Sequence, residues 1–383
     1  MIAHLKKIYR EIGRDGLVLI ACTLSLFFAS YLCVVVQFLA FIYAIRKYSL
    51  KRILSAPYAI LPTILLVPGL AVGFYYKNYL GLMILIMFFM LYIFSIYEKF
   101  MMTEQIRDCI IYTAIISSII AAIAAAVQKY PNPNFRSVSL FLNANFYGYL
   151  CELMLVLIIY AFYCWGPKPI FFIAAAANAL GMWMSGCRSA WLATAAGIVV
   201  LIICLKKYRH LIFAAIAFGF LSALALLFPE FFFPRLQSLS NDKSLRVLIW
   251  KTAWGYVKEN PIFGHGMFAY YTLSTGRAHN AHAHDFILDV LVNFGIVGFI
   301  IVAIFIFLIM RDLIKNLKYN KTCALVIAAL SAAFVHGIDD IPFIGVQTSS
   351  FTILIIALAG TYGIYTKPEL LHNADDLECN TDE

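Results

Sequence analysis

Charged residues are scarce in this sequence of 383 residues. They make up 13% of the chain, whereas 63% of it is hydrophobic and the mean hydropathy is +0.86. Soluble domains carry roughly 25% charged residues, so a soluble globular protein is excluded. Continuous apolar blocks of about 20 residues, enough to cross a hydrocarbon core of roughly 30 Å, also exclude a β-barrel. The composition therefore predicts an all-α integral membrane protein.

Cysteine pairs and a cleavable leader are also missing. The nine cysteines include no Cys-x-x-Cys pair, and the longest polar segment, residues 229–285, contains none. This pattern excludes a disulfide framework and a cysteine-based zinc site. The apolar stretch after Arg14 is too long for a signal peptide and lacks a small-residue cleavage site, so we expect it to stay as an anchor. We predict a single polytopic membrane domain over residues 1–383.

Apolar blocks predict about twelve transmembrane helices. The first block, Leu17 to Ile45, has basic residues on both flanks. Both flanks are expected inside by the positive-inside rule, which favours a bent pair of helices over one long tilted helix; the latter would give eleven spans. The other ten blocks lie near residues 56–75, 80–96, 109–127, 142–163, 169–186, 190–205, 210–228, 286–310, 322–338 and 343–365.

The resulting topology places many basic residues on the outer face. The tail 367–383 lies inside, and residues 229–285 form a large outer loop. Positive charge outside opposes the usual bias and therefore indicates an anionic ligand on that face. Ten of the 29 basic residues fall there: Lys77, Lys129, Arg136, Arg188, Arg235, Lys243, Arg246, Lys251, Lys258 and Arg277.

The outer loop is predicted to contain an interfacial helix. Ser244 is suited to cap it, and Val247, Trp250, Trp254 and Val257 recur at helical spacing on one face. Such a helix lies along the membrane surface, either as a packed surface element or as a platform for substrate. The Gly-x-Gly after it, at residues 264–266, is interpreted as a tight turn rather than a phosphate cradle.

A cluster of histidines closes the outer loop. His279, His282 and His284 precede Asp285. They could be a zinc site or incidental surface histidines, but a general base is favoured because imidazole titrates near pH 6.5 and a carboxylate can orient it. If the next helix begins near His282, that histidine shares a face with Asp285 and Asp289, which favours His282 as the base.

Other polar residues stand at the ends of apolar spans. Arg188 costs on the order of 2.5–3.5 kcal/mol to insert at a span centre and less near the surface, so we expect a partner, preferably phosphate. Asn143 and Asn145 either cap a helix or bind sugar hydroxyls.

A further polar cluster lies at the outer end of the penultimate span. It comprises His336, Asp339 and Asp340. These residues either line the same cavity or make a turn before Pro342.

Four patches together resemble the bacterial O-antigen ligase and O-antigen polymerase family of polytopic membrane glycosyltransferases. Their order and spacing carry the resemblance, which runs from about Arg136 to Pro342. In it the family's histidine falls on His284, counting back from Gly295, which takes precedence over the helical-face argument. Asp285 stands where the family commonly has asparagine. The patches are Arg136 to Gly148, Ser185 to Trp191, Arg246 to Gly266, and His284 to Gly298.

The resemblance implies a fold of about twelve helices of the membrane glycosyltransferase type C kind. It implies a metal-independent enzyme of the bacterial plasma (inner) membrane, with an outer-face active site and an undecaprenyl-diphosphate-linked glycan as donor. The acceptor would be lipid A core (ligase) or another lipid-linked glycan (polymerase). Membrane lipids are expected partners, whereas a cofactor and nucleic acid are not. A transporter (flippase) of anionic lipid-linked glycans and a metal-dependent membrane hydrolase are the alternatives.

The resemblance also assigns roles to residues. His284 would take the acceptor's proton, and Arg188 and Arg246 would stabilise the departing diphosphate. The residues expected to bind substrate are Arg136, Asn143, Asn145, Arg235, Trp250, His282 and Asp285.

Overall fold

The computed structural model describes residues 2–48, 56, 58–132, 134–229 and 239–360. These residues form α-helices, short 3-10 turns and loops, and no strand occurs among them. The helices are α1 (Ile2–Leu26), α2 (Ser30–Lys47), α3 (Ile60–Tyr75), α4 (Tyr79–Met101), α5 (Glu104–Lys129), α6 (Ala144–Trp165), α7 (Pro169–Ser185), α8 (Arg188–Cys204), α9 (Arg209–Leu227), α10 (Leu239–Glu259), α11 (Ala269–Leu273), α12 (Phe286–Asn316), α13 (Thr322–Gly337) and α14 (Val346–Ala357).

Five of these helices are long and apolar enough to cross a membrane. They are α2, α4, α5, α6 and α12. Helices α3, α7, α8, α13 and α14, and most of α9, are also apolar but shorter. The prediction of an all-α membrane protein is confirmed, whereas the number of twelve spans stays a prediction. Arg235 and the tail 367–383 lie outside the described residues.

The first apolar block forms two helices, as predicted for Leu17 to Ile45. Helix α1 ends at Leu26 and α2 begins at Ser30. The break leaves backbone carbonyls without helical hydrogen-bond donors, and the side-chain amide of Gln347 in α14 donates to them instead. Its Nε2 donates to the carbonyls of Leu26, at 3.0 Å, and Phe28, while its Oε1 accepts from the Ser30 hydroxyl at 2.6 Å. Because buried carbonyls need partners, Gln347 stabilises the break.

Small residues let α8 approach α13 closely. Ala190 and Ala193 of α8 and Ala332 of α13 are fully buried. A Cβ added at Gly197 would lie 2.8 Å from Val156 Cγ2 and 3.0 Å from Ala332 Cβ, so this contact requires glycine. The beginning of α8 thereby lies beside the end of α13, and both ends carry polar residues of the candidate site.

The outer loop docks on a kink in α12. Gly295 inside α12 has φ 62°, and a Cβ there would lie 2.3 Å from the Ile262 carbonyl oxygen. Four backbone hydrogen bonds join the loop to the kink. In two of them the loop donates, from the N–H of His265 to the Val292 carbonyl and from the N–H of Gly266 to the Asn293 carbonyl. In the other two α12 donates, from the N–H of Ile296 to the Pro261 carbonyl and from the N–H of Val297 to the Ile262 carbonyl. The Gly-x-Gly at 264–266 is therefore a turn that permits close backbone approach.

Helix α10 is present, and only part of its predicted apolar face is buried in the protein. Ile249, Ala253 and Val257 are buried against the loop and α12, whereas Trp254 is 50% exposed and Val247 is 44% exposed. The buried side chains recur every four residues, so small and branched residues form the packing stripe while the large indole stays outside it. Whether that indole contacts lipid headgroups stays a prediction.

Replacing Gln347 with leucine tests the clamp at the α1–α2 break. We expect a loss of about 2–6 kcal/mol of stability, because the carbonyls of Leu26 and Phe28 lose their donor at roughly 1–3 kcal/mol each. The thermal midpoint of purified protein in detergent should therefore fall. Ser331→Ala is the matched control, since that hydroxyl donates to Ile327 within its own helix. Equal midpoints for the two variants would contradict the assigned role.

Candidate active site

His284 lies at a strained turn just before α12. Its φ is 52°, in the left-handed region that residues other than glycine seldom occupy. Its backbone N–H donates to Nδ1 of His282 at 3.2 Å, and Asp285 caps α12 by accepting from the Leu288 N–H at 2.8 Å. Because the helix begins at Phe286, the premise of the helical-face argument for His282 is wrong. Both histidines instead project from the loop.

Asp340, in the turn after α13, draws the two histidines together. Its Oδ1 lies 2.9 Å from Nδ1 of His284 and 3.3 Å from Nε2 of His282. The same oxygen accepts from the Ile341 N–H at 2.8 Å, and Oδ2 accepts from the Asn145 side-chain amide. The sequence pointed to Asp340 only as part of a polar cluster. The structure makes it the residue on which the site converges.

The geometry leaves one nitrogen of His284 available for chemistry. When Nδ1–H donates to Asp340, Nε2 carries the lone pair and can accept a proton, as in acid–base pairs of hydrolases and transferases. The His284 side chain is 16% exposed, compared with 7% for His282. His284 is therefore the more accessible of the two bases.

Charge in the cluster follows from burial and hydrogen bonding. Burial raises the pKa of Asp340, but the hydrogen bond from His284 and the electrostatic interaction with the surrounding histidines, which favours the carboxylate, outweigh burial and hold that pKa well below its usual range. Burial lowers the pKa of His282 to about 4, although the neighbouring carboxylate opposes the shift. At neutral pH Asp340 is thus a carboxylate beside an uncharged His282.

Arg136 joins the cluster through Asn145. Its Nη2 donates to Asn145 Oδ1, and its Nε donates to the Ser185 carbonyl at 2.8 Å. Asn145 in turn donates to Asp340, so one hydrogen-bonded chain connects Arg136 to the carboxylate that orients His284. Asn143 caps α6 by accepting from the Asn145 N–H at 2.8 Å. Of the two asparagines, one is a helix cap and the other is a bridge.

Arg246 reaches the cluster from α10. It forms an ion pair with Asp339, and both partners remain partly exposed. One turn later, Trp250 donates its indole N–H to the His284 carbonyl at 3.4 Å. Helix α10 is thus attached both to the residue before Asp340 and to the proposed base.

Arg188 is the first residue of α8. Its neighbours Cys187 and Ser189 approach Nε2 of His336, with Sγ at 3.9 Å and Oγ at 3.4 Å. His336 belongs to the last turn of α13, just before the two aspartates. The elements that carry Arg188, Arg246 and His284 therefore meet at one end of the bundle.

His279 lies apart from the cluster, and Glu152 lies close to it. His279 does not join the others, because its Nδ1 lies 2.8 Å from the Ser274 carbonyl within the loop. Glu152 of α6 went unnoticed in the sequence. It is fully buried, and its Oε2 lies 2.6 Å from Nδ1 of His336. A single acidic residue inside an apolar span was the available signal.

Three residues of the cluster could ligate a metal. The nearest donor atoms of His282, His284 and Asp340 all lie within 4.8 Å of one another. Three protein ligands with an open fourth position suit catalytic zinc. The same atoms also satisfy one another as a carboxylate between two imidazoles, so the donor set fits either chemistry.

The sequence comparisons bear on the identity of this site. A family model described as O-antigen ligase matches residues 170–303, from the start of α7 into α12, a range that includes Arg188, Arg246 and His284. No curated protein matches the chain. The family model confirms the resemblance over the range that contains three of the four sequence patches, whereas the patch from Arg136 to Gly148 lies outside that range. Over residues 170–303 the chain is therefore similar to the O-antigen ligase family.

Proposed function

We propose that the protein transfers a glycan from undecaprenyl diphosphate to an acceptor hydroxyl, with inversion and without a metal. The family match supports a membrane glycosyltransferase role in O-antigen assembly. The observation that carries the proposal is the His284–Asp340 pair at 2.9 Å, with Arg246 bound to the adjacent Asp339 and Arg136 connected through Asn145.

Proton transfer is assigned to His284. The acceptor oxygen attacks the anomeric carbon of the donor while its proton passes to Nε2 of His284. The bond between that carbon and the diphosphate oxygen breaks, and its electron pair leaves with the diphosphate. Asp340 stabilises the imidazolium that forms. Attack opposite the leaving group inverts the anomeric configuration.

Stabilisation of the leaving group is assigned to arginines. Negative charge grows on the diphosphate as the bond breaks, and guanidinium groups remain charged and bind phosphate oxygens in pairs. Arg188 and Arg246 are the residues proposed for this role, with Arg136 and Arg235 as further phosphate ligands. In the structure the Arg246 guanidinium is paired with the Asp339 carboxylate. The donor phosphate would therefore either displace that carboxylate or share the guanidinium with it.

The same end of several helices forms the site. The starts of α6, α8 and α12 and the end of α13 supply its residues. By the positive-inside rule we assign this end to the outer face of the bacterial plasma membrane. A donor anchored in the bilayer and a lipid A core or lipid-linked acceptor would meet there. Asp285, Trp250 and Asn143 then act by holding α12, the loop and α6 in place around the substrates.

Replacing His284 with alanine tests the proposed base. We expect transfer to fall by about 10²- to 10⁴-fold, the usual contribution of general base catalysis, while binding of the lipid-linked donor stays intact. Purified protein would be incubated with a polyprenyl-diphosphate oligosaccharide, with and without lipid A core. The masses of the products would then be measured by mass spectrometry. His279→Ala is the matched control, because His279 bonds to Ser274 and not to Asp340.

A rate of transfer in His284→Ala equal to that of the wild type would contradict the assignment of His284 as the base. Donor translocation by the wild-type protein in vesicles, with no glycan transferred, would indicate the transporter instead.

Chelation separates the metal-free mechanism from a metal-dependent hydrolase. The hydrolase is favoured by one observation, the donor set of His282, His284 and Asp340. We expect wild-type protein treated with EDTA and dialysed to retain its transfer rate, because arginines carry the charge of the leaving group. Loss of the reaction on chelation and its return with Zn²⁺ would contradict this mechanism.

A further inference from the structure

A buried ion pair lies beneath the candidate active site. Glu152 of α6 and His336 of α13 are both fully buried and contact each other at 2.6 Å. The Tyr149 ring packs edge-on against His336, with ring centroids 5.4 Å apart. Burying such a pair costs several kcal/mol per ion, and an apolar pair of similar volume often packs as well. Packing alone gives little reason for these two residues.

His336 contacts both halves of the site. Its backbone carbonyl accepts the N–H groups of Asp339 and Asp340, each at 3.0 Å. These hydrogen bonds set the positions of Asp339, the partner of Arg246, and Asp340, the partner of His284. On its side chain, Nε2 lies 3.4 Å from the Ser189 hydroxyl and 3.9 Å from Cys187 Sγ.

The side-chain contacts lie on either side of an arginine. Cys187 and Ser189 flank Arg188, the residue assigned to the leaving group. Glu152 binds Nδ1 of His336, which fixes the ring so that Nε2 faces the start of α8. One residue thereby connects the arginine end of α8, through its side chain, to the two aspartates after α13, through its backbone carbonyl.

We propose that Glu152 and His336 are positioning residues of the transfer reaction. Glu152 holds the His336 ring, and His336 sets the spacing between Arg188 and the His284–Asp340 pair. This inference rests on the proposed function, since it concerns the same site. Base and leaving-group ligands must stand at a spacing that matches the bonds being made and broken, and a displacement of about 1 Å can cost about 10²-fold in rate.

Replacing Glu152 tests the role of the pair. We expect Glu152→Ala to lower kcat by about 10²-fold, with the KM for the lipid-linked donor changed less than about threefold, because geometry rather than binding is lost. Glu152→Gln keeps an oxygen that can accept from Nδ1–H, so it should recover kcat to within about tenfold of the wild type. Rates are normalised to folded protein measured by thermal unfolding.

A matched control comes from a second buried carboxylate. Glu98 of α4 is 2% exposed, and α4 packs mainly on α3 and α14. Glu98→Ala removes a buried carboxylate of the same kind without touching His336, so kcat should equal that of the wild type. Ser189→Ala leaves the ion pair intact and removes the hydroxyl facing Nε2. It should lower kcat by about tenfold, which is less than the loss of about 10²-fold expected from a displacement of about 1 Å.

The outcomes separate this inference from the proposed function. No product from the wild-type protein would refute the proposed function, and this inference with it. An active wild type with unchanged kcat for Glu152→Ala, or equal losses in Glu152→Ala and Glu98→Ala, would refute the inference alone. If Glu152→Ala does not fold, unchanged kcat in Ser189→Ala would still refute it.

Discussion

The Asp340 carboxylate is the interaction on which the candidate site depends. Its two oxygens hold His284, Asn145 and the Ile341 amide, and it lies against His282. These partners come from different parts of the chain, and without the carboxylate they would have no common contact. The carboxylate stays charged despite being buried, because both of its oxygens accept hydrogen bonds.

The helix packing brings Asp340 and Arg188 to the same place. Helix α8 begins and α13 ends at this side of the bundle, and glycine and alanine at their contact let the two backbones approach. The charged residues thus stand at helix ends. At a helix end a left-handed residue such as His284, or a cap such as Asp285, can redirect the chain into the site.

Much of the fold and part of the site could be predicted from the sequence. Hydropathy and flanking charge gave the split of residues 17–45, and family-like spacing chose His284 over His282. The helical-face argument for His282 was wrong because it assumed an early helix start, and the backbone turn at His284 has no local sequence signal. The stripe of α10 that packs on the protein was not predicted, because side-chain size is a poor guide to burial.

Partners far apart in sequence were the hardest to find. Asp340 binds Asn145, and Glu152 binds His336, yet nearly two hundred residues separate the members of each pair. Local spacing cannot predict such contacts, since they follow from the arrangement of several helices. Glu152 contacts His336, which in turn approaches Ser189 beside Arg188, so no local sequence pattern connects Glu152 to Arg188.

The docking of the outer loop on α12 limits how the proposed substrates could reach the candidate site. Glycines at 264, 266 and 295 bring the two backbones so close that they share hydrogen bonds. That seam makes residues 261–266 and the kinked helix one rigid wall. Under the proposed function, the lipid-linked donor and acceptor would have to enter the site without moving this wall. The same wall supports α10, because Ile249, Ala253 and Val257 pack against the loop and α12, while an ion pair and one indole hydrogen bond join α10 to the residues around His284.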